Sequence, residues 1–234
     1  MSNTSYTPSL SSLPFYKSHP YMLPFVGDEY ESPKHKKLLL IGESHYMPEG
    51  STVHHDVNSW YDGSPDLTPE EIGNCDTRGT RIWKSGRFGK EVDRCLNLVL
   101  PSRGNRWHQV AFFNYFLRPA DYKKSFKDNY TERDCVESVR IFRELLEILR
   151  PDLIVFTSKL AFDHAEWIDF PKVFNCGLWD YTAKNNMDYI FTEHPSSSWW
   201  NRIVRLKAGG SDDYFRGMTP RDFFCTWLKE NWVR

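Results

Sequence analysis

At 234 residues, 40% hydrophobic and 26% charged, the chain is long enough to bury a sizeable core in one large α/β domain or two small ones. A net charge of −1 excludes a global pull toward nucleic acid or membrane, so any polyanion must meet a local patch. Five scattered cysteines (Cys75, Cys95, Cys135, Cys176, Cys225) without zinc or iron–sulfur spacing exclude a metal-ribbon fold and read as free thiols of a reducing compartment.

The N-terminus lacks a basic-then-apolar signal and no apolar run is long enough to span a bilayer, so a cytoplasmic protein without a membrane segment is expected. Residues 1–35 are rich in Ser, Pro and Tyr, with apolar knots at Leu13-Pro14-Phe15 and Met22-Leu23-Pro24-Phe25. Prolines this dense preclude a long helix and predict an extended arm packed on the domain through its aromatics. A single domain is expected over 36–234.

Lys36-Lys37 lead into Leu38-Leu39-Leu40-Ile41, the pattern of a strand buried on both faces. It stops at Gly42, and Glu43, Ser44, His45 and Tyr46 follow. Open α/β sheets bind ligands beyond the carboxyl ends of their strands, which makes this titratable cluster a site candidate. The next stretch, 49–81, is long, polar and turn-rich, with a helix start at Thr68-Pro69-Glu70-Glu71. Starting at the candidate site, it reads as a lid or substrate-contacting insert.

A helix over 86–100 is entered through Gly86 and Gly89, with Val92, Cys95, Leu96 and Val99 on one face. Around it lie Arg78, Arg81, Lys84, Arg87, Lys90, Arg94, Arg103 and Arg106, opposed only by Glu91 and Asp93. This local positive patch could contact phosphates or be a solvated helix face. A second strand over 109–114 ends on Asn114. A long helix from Thr131 to Arg150 stops at Pro151, and a third strand follows at 152–156. A short helix at 159–167, a fourth strand at 188–192 carrying His194-Pro195-Ser196-Ser197-Ser198, and a helix from about 220 to 232 complete the pattern. The alternation predicts a three-layer α/β/α sandwich with a mainly parallel four-stranded central sheet.

Three strand ends thus carry polar groups, and a parallel sheet would bring Glu43–Tyr46, Asn114 and His194–Ser198 to one edge. This combination resembles the uracil-DNA glycosylase superfamily over about residues 36–205. Gly42-Glu43-Ser44-His45-Tyr46 is similar to that family's first motif, Gly-Glu-Ala-Pro-Gly or Gly-Gln-Asp-Pro-Tyr by branch. Gly86-Arg87-Phe88-Gly89-Lys90-Glu91-Val92-Asp93 resembles the Gly-Arg-Ala-Gly-Lys-Leu-Leu-Asp of the iron–sulfur branch. Phe113-Asn114-Tyr115-Phe116-Leu117-Arg118-Pro119 loosely resembles its Asn-x-x-Lys-Cys-Arg-Pro, and His194-Pro195-Ser196-Ser197 matches the last motif. The chain departs from the pattern in that His45 replaces the motif proline and the cluster cysteines are missing, so no iron–sulfur centre and no other cofactor are expected.

The resemblance implies a monomeric DNA glycosylase acting on a flipped-out uracil or other altered pyrimidine in single- or double-stranded DNA. Glu43 would steady the oxocarbenium-like sugar or orient water. His194, most usefully as a neutral donor, would stabilise the departing base. Asn114 would read the pyrimidine edge, Trp83 or Phe88 would stack on the base, and Tyr46 would crowd its C5. Gly42, Ser44 and His45 complete the substrate loop. Ser196 and Ser197 would hold flanking phosphates, Trp199 or Trp200 would wedge into the vacated gap, and Lys84, Arg87 and Arg202 would meet the backbone. Two other readings stand beside this one: a glycosylase-fold binding module without turnover, and a small α/β esterase using Ser44, for which the required Asp-x-x-His is absent because Phe191 precedes His194 by three. His54-His55-Asp56 suggests a metal, but adjacent histidines in a polar loop read as solvent-facing, and no metal is expected.

Overall fold

Four strands form where the hydrophobic runs place them, and a fifth joins from the N-terminal arm. The computed structural model describes residues 3–79, 86–101, 104–203 and 214–234. In chain order the elements are α1 (Thr7–Ser12), α2 (Pro14–Ser18), β1 (Phe25–Val26), β2 (Leu38–Gly42), α3 (Val57–Asp62), α4 (Pro69–Cys75) and α5 (Arg87–Val99). Then come β3 (Val110–Asn114), α6 (Glu132–Leu149), β4 (Leu153–Phe156), α7 (Lys159–Asp163), α8 (Asp169–Phe174), α9 (Leu178–Lys184), β5 (Asp188–Phe191) and α10 (Pro220–Asn231).

The fold is α/β, with strand order β1-β3-β2-β4-β5. β2 to β5 are mutually parallel, whereas β1 pairs antiparallel with β3 through Phe25↔Phe112 and Val26↔Ala111. The sheet is therefore five-stranded and mixed, not four-stranded. β1 escapes notice in sequence because two residues carry no alternation, and Pro24 just before it is tolerable only at an edge.

Side chains alternate across the pleat. Leu39, Ile41, Ala111, Phe113, Ile154 and Phe156 pack with Val139, Phe142, Leu145 and Leu149 of α6. Leu38, Leu40, Val110, Phe112, Leu153 and Val155 pack with Val92, Cys95 and Leu96 of α5 and Phe224 and Leu228 of α10. Each fully buried Leu, Ile or Phe contributes about 1.5–3 kcal/mol, so the central strand is held from both sides.

The arm differs from the extended segment expected. Pro8 falls in the first turn of α1 and Pro14 begins α2, positions where the missing N–H costs nothing. Its aromatics do pack inward, Tyr16 and Tyr30 being fully buried. The short helix expected over 159–167 stops at Asp163; a π-type segment, His164–Ile168, leads into α8 and α9, both too short to show a clear period.

After laying β1 at one edge, the chain takes the central position with β2, crosses to β3 between β2 and β1, and returns past β2 to β4 and β5 on the other side. The loops leaving β2 and β4 therefore diverge, and the crevice between diverging loops is where such sheets bind ligands.

Candidate functional site

A cleft of about 760 Å³ opens at the carboxyl edge of the sheet, lined by Glu43, Asn114 and His194 together with Ser44, His45, Tyr46, Phe88 and Ser196. The three strand-end motifs are brought together, as the parallel order requires.

Gly42 ends β2 opposite Asn114 in register. A Cβ at Gly42 would sit 2.1 Å from Asn114 Oδ1, so only glycine leaves room for that amide. The Asn114 side chain makes no hydrogen bond to any described residue, so both edges of its amide remain available to a ligand.

Glu43 is held at both carboxylate oxygens. The Phe126 backbone N–H donates to Oε1 at 3.3 Å, and the Ser158 hydroxyl donates to Oε2 at 2.8 Å. Ser158 also caps α7 by accepting from the Ala161 N–H, which ties the carboxylate to a helix start. The loop itself is pinned by a bridge, with Ala120 N–H donating to His45 O and Met47 N–H to Ala120 O.

His194 follows β5. The Ser196 backbone N–H donates to His194 Nδ1 at 3.2 Å, and the Ser196 hydroxyl lies 2.7 Å from the same atom. A backbone N–H can only donate, so Nδ1 accepts and the neutral ring carries its proton on Nε2. Burial pushes the imidazole down to about 4, which keeps it neutral near pH 7. The Phe88 ring stacks on it, centroids 5.0 Å apart and 26° between planes, fixing its orientation.

His45 is buried, and its Nε2 lies 2.9 Å from Thr77 Oγ1, whose own hydroxyl donates to Met22 O. The imidazole therefore donates to Thr77 and anchors the far end of the insert. Burial lowers it to about 4, partly offset by a backbone bond to Asn74. Tyr46 is 45% exposed at the cleft mouth, its phenol raised by burial and then by the nearby Glu43 charge. Ser44 is buried, and its Oγ has no hydrogen-bond partner among the described residues. An ester-cleaving serine needs a base within hydrogen-bond reach, so the geometry does not favour that role.

The remaining expected contacts divide. Ser197 N–H donates to His194 O, closing the turn, and Ser197 Oγ accepts from Trp199 N–H. Trp199 is 52% exposed, with the Arg202 guanidinium 5.8 Å from its ring centre. Trp200 has no exposed surface and its indole N–H donates to Glu91, so it belongs to the core and cannot act as a wedge. Arg87 is exposed on α5. Trp83 and Lys84 lie outside the described residues. Of the described members of the basic run, the Arg78 and Arg106 side chains are bound to Pro24 O and Asn97, while Arg87, Lys90 and Arg94 are solvent-facing; Arg81 and Arg103 also lie outside the described residues.

Sequence reasoning missed Ser158, Lys159, Tyr122, Lys123, Lys124 and Glu193, all of which line the cleft. The polar Thr157-Ser158-Lys159 directly after the third apolar run was the available signal, since a parallel strand's carboxyl end shares the edge that carries Glu43 and Asn114. The insert supplies Gly73, Asn74 and Asp76 to the cleft wall. No protein-family model matches the chain, and no curated protein matches it in sequence.

Proposed function

We propose that the protein is an N-glycosidase that removes an altered pyrimidine, uracil or a related base, from DNA after flipping the nucleotide into the cleft. The observation that carries this reading is the meeting of an anchored carboxylate, an unengaged amide and a neutral imidazole donor in one cavity. Cleavage of an N-glycosidic bond needs negative charge near the sugar and a donor at the departing base, and Glu43 and His194 supply these two groups. An amide with both edges available suits a Watson–Crick edge, the role given to Asn114. Trp199 and Arg202 are exposed near the turn after His194 and would meet the strand flanking the flipped base, with Arg87 and Ser197 as further backbone contacts. The protein would act as a monomer in the cytoplasm.

Oligonucleotides carrying uracil, hypoxanthine, xanthine or modified cytosines, scored for abasic product, test the reading. Wild type should release at least one base, with Glu43→Ala and His194→Ala losing release. Absence of abasic product from every base, with tight binding retained, would leave a base-recognising module without turnover.

A further inference from the structure

Two adjacent histidines of the insert meet a carboxylate from the loop after β3. Nε2 of His54 lies 2.9 Å and Nε2 of His55 2.7 Å from one oxygen, Asp121 Oδ1. They line a cavity of about 270 Å³ that shares no lining residue with the cleft. Asp56, the neighbour in sequence, is committed elsewhere: its Oδ1 accepts from the N–H groups of Asn58 and Ser59 at the start of α3.

We propose that His54, His55 and Asp121 form a site for a transition-metal dication of the zinc class. Two imidazoles and one carboxylate suit a borderline cation, whereas magnesium and calcium prefer oxygen alone. The three ligand atoms lie within 4.8 Å of one another. Bonds of ~2.0–2.1 Å in a tetrahedral site need ligand atoms roughly 3.3 Å apart, so Asp121 Oδ1, now 2.9 and 2.7 Å from the two nitrogens, would draw back by about half an ångström to admit the ion.

The surroundings are arranged for this. Lys124 Nζ donates to Asp121 Oδ2 at 3.1 Å and Asn129 Nδ2 at 3.4 Å, which leaves Oδ1 turned toward the imidazoles. Outer bonds of this kind orient metal ligands. His54 is buried, and its carbonyl accepts from Arg118, so one ligand is preplaced. Without metal its Nε2–H donates to Asp121 Oδ1, so binding an ion there would displace that proton. The His55 side chain is 52% exposed, which leaves an open side for water. The Arg118 charge is matched by Asp134, and the Lys124 side chain is 68% exposed and screened by solvent. A bound ion would clamp the insert to the loop that lines the cleft and, through the Phe126 N–H, holds Glu43.

Titration of the metal-free full-length protein with zinc chloride alone, followed by calorimetry and thermal melting, tests the site. One equivalent should bind, and zinc at a hundredfold excess over Kd should raise the Tm by about 5–10 °C. His55→Ala, at an exposed position that leaves the core intact, and Asp121→Asn should each weaken binding more than a hundredfold and remove the shift. Cys135→Ser, which dismantles the other cluster of possible ligands (Cys135, His164 and Asp169), should bind normally. No stoichiometric zinc, undiminished binding in His55→Ala, or loss in Cys135→Ser instead would overturn the assignment.

Discussion

The Ser158 hydroxyl donates to Glu43 Oε2 at 2.8 Å, joining the loops that leave β2 and β4 at the point where they diverge. A hydrogen bond to a charged group contributes about 1.5–3 kcal/mol. Ser158→Ala should therefore lower single-turnover base release roughly 10- to 100-fold. Loss of the α7 cap should cost about 1 kcal/mol in a melt. Ser158→Thr, which retains a hydroxyl, should recover most of the rate. An unchanged rate in the alanine variant would show that Glu43 orientation does not limit the chemistry.

The Ser196–His194 pair sets the imidazole tautomer. Removing a donor to a developing anion typically costs about 10²- to 10³-fold in kcat, the loss expected for His194→Ala. Ser196→Ala keeps the backbone N–H and should change kcat little. With His194 near 4, its protonation contributes no titration to a rate profile between pH 6 and 8. A rate step near pH 6.5 that disappears in His194→Ala would contradict this.

Stability should fall on mild acidification. Burial lowers His19, His45 and His194 to about 4 from an ordinary 6.5. The unfolded chain then binds more protons than the folded one between those values, so stability rises with pH through this window and is lost as pH falls from about 6.5 to about 4. Summed over three groups the loss is on the order of several kcal/mol. Urea midpoints measured from pH 7.5 to 4.5 should decline steadily, and a flat series would mean that these rings charge freely in the fold.

Arg118 and Asp134 form a fully buried ion pair, Nε to Oδ1 at 2.8 Å and Nη2 to Oδ2 at 2.7 Å. Asp134 also completes the capping box of α6 with Thr131. Arg118→Ala leaves a buried carboxylate with the Tyr61 and Thr131 donors but without its cation and frees the carbonyls of His54 and Asn129, so a destabilisation of about 3 kcal/mol is expected in chemical denaturation. A change below about 1 kcal/mol would show that water replaces the guanidinium.

Gly42→Ala should displace the Asn114 amide and reduce base release, because the new methyl would sit 2.1 Å from Asn114 Oδ1. The stability cost should shrink in a Gly42→Ala/Asn114→Ala background, giving a coupling of about 0.5–3 kcal/mol in a double-mutant cycle. Strictly additive costs would mean that the clash lies with the Phe112 ring, 3.1 Å from the same point.

The strands β2 to β5 and the helices α5, α6 and α10 were legible because their apolar residues recur at periods that local geometry imposes. Glu43, Asn114 and His194 were legible for a related reason: each directly follows such a run, and parallel strands share one carboxyl edge. β1, α8 and α9 were not, since two to seven residues hold too little pattern to separate from loop.

The tertiary structure decided what chain order leaves open. It made Trp200 a core residue while leaving Trp199 at the surface, a choice between identical neighbours that rests on which way the turn after His194 faces. It gave Glu43 its partner in Ser158 and gave His54 and His55 theirs in Asp121 rather than Asp56, because loops with no period of their own are positioned by the strands they leave. Periodicity is a property of the local backbone and can be read along the chain. Contacts between loops depend on where the sheet switches direction, which no single stretch of sequence encodes.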